Sequence, residues 1–519
     1  MKKIFIAFLL AAGTLFWSGC DSLDLGPIDY YGTGNFWSNA AQVEAYSVGI
    51  HNQLRSSYQM FYVMGEARGG TLRLGVSSVN TSMDMEAPIK NNTFTKDNTG
   101  ISNWYGIYSR LLQVNHMIDK LETACEFLSD SERGHYLGQA YGIRALYYFM
   151  LYRTYGGVPL ETEVKVMGGK IDVNELYMAR SSAEETLQLI KNDINQSETN
   201  FAKSPAVNDC YYWSANATQF LKAQVYLWSA KVTTDNHTAG GTADLNTAKA
   251  ALNTLIGKYQ LQSDFSKVFT SKKNNEIIFS LFFDKDEATN WGNLFMYEIA
   301  LFEGTAKDKD GNIYSKDPLG LINGGTLRHE WKETFVRSFD EADTRRAGTF
   351  FEYYVGPSAP YTMGCVIKKL LGSVSDGSRK WDSDVIVMRY ADVLLMMAEV
   401  ENGLNNDPSP YINQVRSRAY GGNHPVYSRG SYGQNERAIL TERNKEFVAE
   451  GCRWFDLVRM QDDAKKALVF AADVNFANIP GDAPAPVLTE AQKYMILWPI
   501  DKTVLNADPL LADAQNPGY

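Results

Sequence analysis

Apolar residues recur at helical spacing in segments that come in pairs, and this pairing limits what the chain can fold into. Trp104, Tyr108, Leu111, Leu112, Asn115 and Ile118 share one face of a predicted helix. Ser129 to Arg133 read as a break; Ala140, Arg144, Ala145, Tyr148 and Tyr152 then take up the same pattern, closed by Gly156, Gly157 and Pro159. Similar pairs read at Ala183 to Ser197 with Ala215 to Thr233, at Val387 to Gly403 with Ser409 to Ala419, and at Glu436 to Ala449 with Arg453 to Ala464. A single helical hairpin cannot bury its own apolar stripe, so about four irregular pairs of TPR-like size must stack on one another. The expected fold class is all-α dominated, a curved scaffold of helical hairpins.

Between Asn274 and Asp384 the pattern changes to Gly, Asp, Tyr and short apolar runs. One of these, EIIFSLFF from Glu276 to Phe283, reads as a strand. This stretch is expected to be a loop-rich insertion with short strands, and loops held on a rigid frame are where binding residues concentrate. The parts on either side are 36–273 and 385–519, and 36–519 is expected to form one compact unit.

Ahead of the scaffold, Lys2 and Lys3 precede an uncharged run from Ile4 to Trp17. As a helix that run rises only about 21 Å, too short to span a bilayer comfortably, so residues 1–19 read as a secretory signal peptide. Ser18 and Gly19 precede Cys20, and the stretch resembles the lipobox of bacterial lipoproteins, in which the cysteine is lipidated and becomes the first mature residue. Residues 20–35 hold Asp21, Asp24, Gly26 and Pro27 and read as a flexible tether.

Charge then removes one class of partner. The net charge of −10 becomes −12 once Lys2 and Lys3 are cleaved away, which argues against nucleic acid. Tyrosine outnumbers phenylalanine, 30 to 25, an excess suited to surfaces that pack one side of a ring and keep the hydroxyl wet, or to the rim of a helical core. Cys125, Cys210, Cys365 and Cys452 form no metal-like pair and read as free, small apolar side chains.

Three stretches resemble the SusD/RagB family: RYADVLLMMAEVEN from Arg389 to Asn402, ILTERNKEFVAEGCRWFDLVRM from Ile439 to Met460, and YYFMLYRTYGGVPL from Tyr147 to Leu160. With the lipobox and the pair Phe36-Trp37, the resemblance spans nearly the whole mature chain. It implies a lipid-anchored outer-membrane protein facing the cell surface, which binds an oligosaccharide or oligopeptide. Its implied partner is a SusC-like TonB-dependent barrel, over which it acts as a lid; no cofactor and no enzymatic activity are implied.

Read physically, the two C-terminal motifs are scaffold. Val387, Tyr390, Ala391, Leu394, Leu395 and Ala398 make one apolar stripe, and Leu440, Phe447, Gly451, Trp454 and Val458 another. Glu450 with Arg453, and Asp456 with Arg459, stand three apart and are expected to pair. Glu446 and Glu450 project from one side of one helix, whereas a glycosidase needs two carboxyl groups flanking the scissile bond, so catalysis is not expected. The six histidines include no HExxH, and neither a Walker loop nor a GxSxG elbow occurs. AKDKDGNIYSKD, Ala306 to Asp317, mimics a calcium loop, but Ala306 lacks the first ligand, so an Asp-Gly hairpin turn is favoured and no metal is expected.

The resemblance also implies where ligand is held: by the loop before the first helical pair and by loops of the insertion. The matching residues are Arg68, Arg73, Asn80, Asp84 and Asn103, with Trp291, Asn293 and Tyr297. Sugar rings present C–H faces to aromatic rings and hydroxyls to amides, carboxylates and Arg. Trp291, among Asn290, Gly292 and Asn293, is the expected exposed stacking platform. A surface hydrolase and a TPR-type adaptor are the other readings.

Overall fold

The computed structural model describes residues 36–74, 87–100, 104–167, 172–205, 209–322 and 325–519. Cys20, Asn80, Asp84 and Asn103 lie outside them, as do residues 1–35. The fold is helix-dominated. Helix α1, Ala40–Tyr62, runs into a π-helical turn, Val63–Ala67, and a short strand β1, Leu72–Leu74. Helices α2, Tyr105–Thr123, and α3, Asp130–Tyr155, form the first hairpin; α4, Ala183–Phe201, and α5, Ala215–Lys231, the second. A further helix α6, Gly241–Asn253, follows, and neither it nor α1 belongs to the pairs anticipated from the sequence.

Ser129 to Arg133, expected as a break, instead start α3. The Ser129 hydroxyl accepts the Glu132 N–H and the Glu132 carboxylate accepts the Ser129 N–H, a capping box that satisfies donors the helix leaves orphaned. Ser182 and Glu185 cap α4 in the same way. At the other end Gly156 takes φ of 78°, a conformation that stops α3 at the Tyr-Gly-Gly turn.

The middle of α3 is buried on every side, packed on α1, α2, α4 and α5. Small residues allow this. A Cβ at Gly138 would stand 2.7 Å from the Phe201 ring, and one at Gly142 only 1.9 Å from the Trp213 indole nitrogen.

The loop-rich stretch opens at β2, Ile277–Leu281, and contains β3, His329–Trp331; β4, Phe350–Val355; β5, Thr362–Ile367; β6, Ser373–Ser375; and β7, Ser378–Lys380. Strand β8, Val385–Arg389, pairs antiparallel with β2, Ile277 opposite Arg389, so the two ends of the stretch meet on the scaffold. β1 pairs with β3, and β4 with β5. Within the stretch Met296, Tyr297, Phe302, Leu321, Tyr353 and Val366 form a small core of their own.

The C-terminal part supplies α7, Tyr390–Gly403; α8, Ser409–Tyr420; α9, Tyr432–Glu446; and α10, Arg453–Arg459. Val387 therefore belongs to β8, and the helix begins three residues later than expected, after Arg389 in extended backbone. In the fourth pair α9 starts earlier than expected, at Tyr432, and stops at Glu446, since Ala449 and Gly451 adopt φ of 62° and 75° before α10, which itself ends at Arg459 rather than Ala464. α7 packs on α5, α6, α8 and α9, which joins the two ends of the chain into one core. Among the described residues no helix is long and apolar enough to cross a membrane.

Candidate functional site

Glu446 and Glu450 are structural. Glu446 takes Nη1 of Arg389 at 2.6 Å and Arg345 Nη1 at 3.4 Å, and is paired with Arg418 as well; Glu450 takes Lys369 at 2.6 Å and Arg389 at 2.8 Å. Burial alone would raise the Glu446 pKa, but the guanidiniums of Arg418, Arg389 and Arg345 more than offset it and hold the carboxyl well below the usual range. Both carboxylates are thus engaged in ion pairs within the fold. The expected Glu450–Arg453 pair does not form: Arg453 donates to the carbonyls of Gly69 and Val474, while Asp456 and Arg459 do pair at 2.9 Å. Two lysine- and arginine-bridged networks thus consume the motif charges, the second joining Glu399 to Lys231 and Arg459.

Arg68, expected at the ligand, is fully buried. Its guanidinium lies 3.7 Å from the Trp454 ring and 4.6 Å from the Phe94 ring, with Nε donating to Asn92 at 2.8 Å. Arg73, half-buried on β1, pairs with Glu330 at 2.9 Å and donates to the Met363 carbonyl. Tyr297 is buried, stacked on Phe302 at 3.8 Å between centroids, and its hydroxyl donates to Asp317 at 2.6 Å. Trp291 is only 8% exposed, wedged between Tyr62 and Phe283. An exposed stacking platform is therefore not what Trp291 provides: it joins the insertion to the scaffold. Asn293 is half-buried, and its backbone carbonyl accepts the Thr326 N–H at 3.0 Å.

Asp317 is committed to Tyr297, and Asp308 accepts N–H bonds from Asp310 and Asn312 at 2.9 Å within a turn where Gly311 has φ of 88°. The calcium-like stretch is thus a hairpin turn. No group of three or more metal-ligating side chains occurs among the described residues.

Open aromatic surface lies elsewhere. A cleft of about 350 Å³ runs between α1 and the segments around Tyr211 and Phe282, and continues past Asp209 and Lys273 into a second hollow of about 430 Å³. Tyr211, Tyr212 and Phe282 are each half-exposed along it, with Tyr211 and Phe282 edge to face at 5.0 Å. Its charges are paired: Arg55 with Glu287 at 2.7 Å, and Lys273 with Asp209 at 2.9 Å. His51, at its floor, accepts the Trp213 N–H on Nε2 at 2.9 Å, and its Nδ1 sits 2.8 Å from the Ser47 carbonyl. Burial pushes its pKa down to about 4, so the ring is neutral at pH 7. The Asn52 amide and the Tyr212 hydroxyl have no partner among the described residues. Lys273 Nζ stands 4.5 Å from the Tyr211 ring centroid and Lys272 Nζ 4.8 Å from that of Phe282, so the cleft offers a neutral sugar ring chiefly the Tyr212 ring and the uncommitted polar groups of Asn52 and Tyr212. The sequence signal was the tyrosine pair in CYYWS, Cys210 to Ser214, placed just before a helix cap; taken singly, each ring reads as core.

Residues 275–519 match the model of the SusD family, and residues 44–227 match a family described as starch-binding and associating with the outer membrane. The chain is 35% identical to a SusD superfamily protein of Bacteroides fragilis NCTC 9343 whose crystal structure superposes with a TM-score of 0.81, covering 93% of this chain and all of that one. NanU of B. fragilis is 32% identical, with a TM-score of 0.77 over 95% of this chain and all of that one. SusD-like protein P38 of Formosa agariphila is 26% identical over 88% of this chain and 91% of its own length.

Proposed function

The chain belongs to the SusD family, and on that premise we propose that it is a non-enzymatic, glycan-capturing lipoprotein of the cell surface, held in the outer membrane through Cys20 and serving as the lid of a SusC-type TonB-dependent transporter. The observation that carries glycan capture is the cleft beside α1. Three half-exposed rings, Tyr211, Tyr212 and Phe282, stand next to a free amide and a free hydroxyl, where Arg55 is paired with Glu287 and Lys273 with Asp209. A sugar needs that combination, an apolar face beside polar groups that are not already satisfied. The outer-membrane starch-binding family matched by residues 44–227 supports the same ligand class. Asn293, with Asn80, Asp84 and Asn103 from the loops named above, is proposed as a further polar contact.

The non-enzymatic reading is supported by the ion pairs that engage the carboxylates of Glu446 and Glu450 and by the binding role of the matched family. The lid reading is tested by purifying the tagged chain from native outer membranes in mild detergent. A TonB-dependent barrel should come with it in stoichiometric amount; a chain recovered alone from membranes that hold such barrels contradicts the partnership.

A further inference from the structure

On the far side of the Tyr211 wall lies another cleft, of about 410 Å³, in which lysines and hydroxyls are set into a largely apolar lining that includes Val268, Phe269 and Leu371. Lys272, Lys368 and Lys369 line it, with Asp382 and Asp384 as its acidic residues. Asp384 accepts the Tyr211 hydroxyl at 2.7 Å and the Phe283 N–H at 3.1 Å, and pairs with Lys272 at 3.3 Å. Asp382 accepts the N–H and the hydroxyl of Ser373 at 2.8 and 2.7 Å. Lys369 is bridged to Glu450 at 2.6 Å and to the Glu446 carbonyl at 2.9 Å.

Lys368 is left over. Its backbone is pinned, the N–H donating to Thr349 at 2.7 Å and the carbonyl accepting from Leu371 at 3.1 Å, so its place at the end of β5 is set. Its ammonium group is half-buried and has neither an acidic partner nor an acceptor among the described residues. Burial lowers its pKa, with no neighbouring charge acting on it in either direction. A partly desolvated cation without a counter-ion is a cost to the free protein that an incoming anion removes. Ser271 and Ser383 add hydroxyl groups to the same lining.

We propose that this cleft is a subsite for an anionic group on the captured sugar, a uronate carboxylate or a sulfate ester, held by Lys368. The inference rests on the glycan-capture reading and names its substrate class: acidic rather than neutral polysaccharide. The two clefts share a wall, since Tyr211 lines the aromatic one and its hydroxyl is bonded to Asp384 in the other. A chain lying on the rings therefore has a cationic pocket beside it.

The test is an array of immobilised tetrasaccharides probed with the full mature chain: galacturonan, hyaluronan and sulfated galactan beside malto-, cello- and laminari-tetraose. Wild type should bind at least one acidic member, and bind its methyl-esterified or desulfated counterpart about tenfold more weakly or worse. Lys368→Met should lose about tenfold in affinity for that member, as removal of one charge-assisted contact does, while Lys368→Arg stays within about threefold. Methyl ester against desulfation tells carboxylate from sulfate. Binding of neutral members only, or acidic binding unchanged in Lys368→Met, overturns the subsite and leaves glycan capture standing. Binding of no member overturns both.

Discussion

Nη1 of Arg389 holds the Glu446 carboxylate at 2.6 Å, and in doing so ties the last residue before α7 to the last residue of α9. The same guanidinium reaches Glu276 at 2.9 Å and Glu450 at 2.8 Å, so one side chain joins the entry of the insertion to both C-terminal motifs.

Removing that cation takes one partner from the buried carboxylates of Glu276 and Glu446 and from the half-buried one of Glu450. Arg389→Met should lower stability by about 3–5 kcal/mol, the range for breaking a buried ion network from one side. Denaturant titration followed by far-UV circular dichroism reads this directly. A midpoint equal to the parent's would show that the network is not what holds α7 to α9.

Trp291 is wedged between Tyr62 and Phe283, so Trp291→Ala should cost about 3 kcal/mol of stability, as large-to-small core changes do. Ligand affinity, measured on the fraction that remains folded, should stay within about threefold of the parent. A variant with unchanged melting temperature and lost binding would return Trp291 to the ligand surface.

Glu66, in the π-helical turn, is buried and accepts the Gly451 N–H at 3.2 Å. Burial pushes its pKa up to about 7, against the opposing backbone N–H groups of Ala449 and Gly451 and the more distant Lys369 and Arg453. A carboxyl that binds its proton more tightly when folded stabilises the fold at low pH and loses that contribution as pH rises from about 4.5 to about 7. The loss is on the order of 3 kcal/mol. Glu66→Gln keeps an acceptor for Gly451 and cannot ionise, so the parent should fall in stability relative to this variant across that window. Parallel stability curves for the two proteins would contradict the assignment.

Cys20→Ala should release the protein from the outer-membrane fraction without changing its melting temperature, because the proposed role of Cys20 is to carry the lipid. The measurement is fractionation after a high-salt wash, in cells lacking the partner barrel. Retention of the variant in the membrane pellet would remove the lipid from the account.

The helical hairpins were legible because each carries a long apolar stripe ended by a recognisable signal, such as Gly156 at the end of α3. α1 was not, since its buried face includes Ser47, His51 and Ser57 and its apolar stripe is thin. Ser129 was misread as part of a break because a cap is a turn residue in composition and a helix residue in consequence. The site was harder still. Trp291 sits in a polar loop by sequence, yet its neighbours in space, Tyr62 and Phe283, come from the end of α1 and from two residues past β2. Arg68 reads as a surface cation until Trp454 and Trp498, far along the chain, close over it. Tyr211 and Tyr212 form a cleft only because α1 and Phe282 are folded against them.

The central claim is glycan capture without turnover at the cleft beside α1, and calorimetric titration of the parent and of Tyr212→Ala tests it most directly. The titrant is a tetrasaccharide from the array that the parent binds, with reducing ends assayed in the same sample. The account predicts saturable binding by the parent, no release of reducing ends, and a loss of about 1–3 kcal/mol of affinity in Tyr212→Ala. The variant's melting temperature should stay within a few degrees of the parent's, since the ring is half-exposed and its hydroxyl carries no partner among the described residues. Equal affinity in the two proteins, or release of reducing ends by the parent, would contradict it.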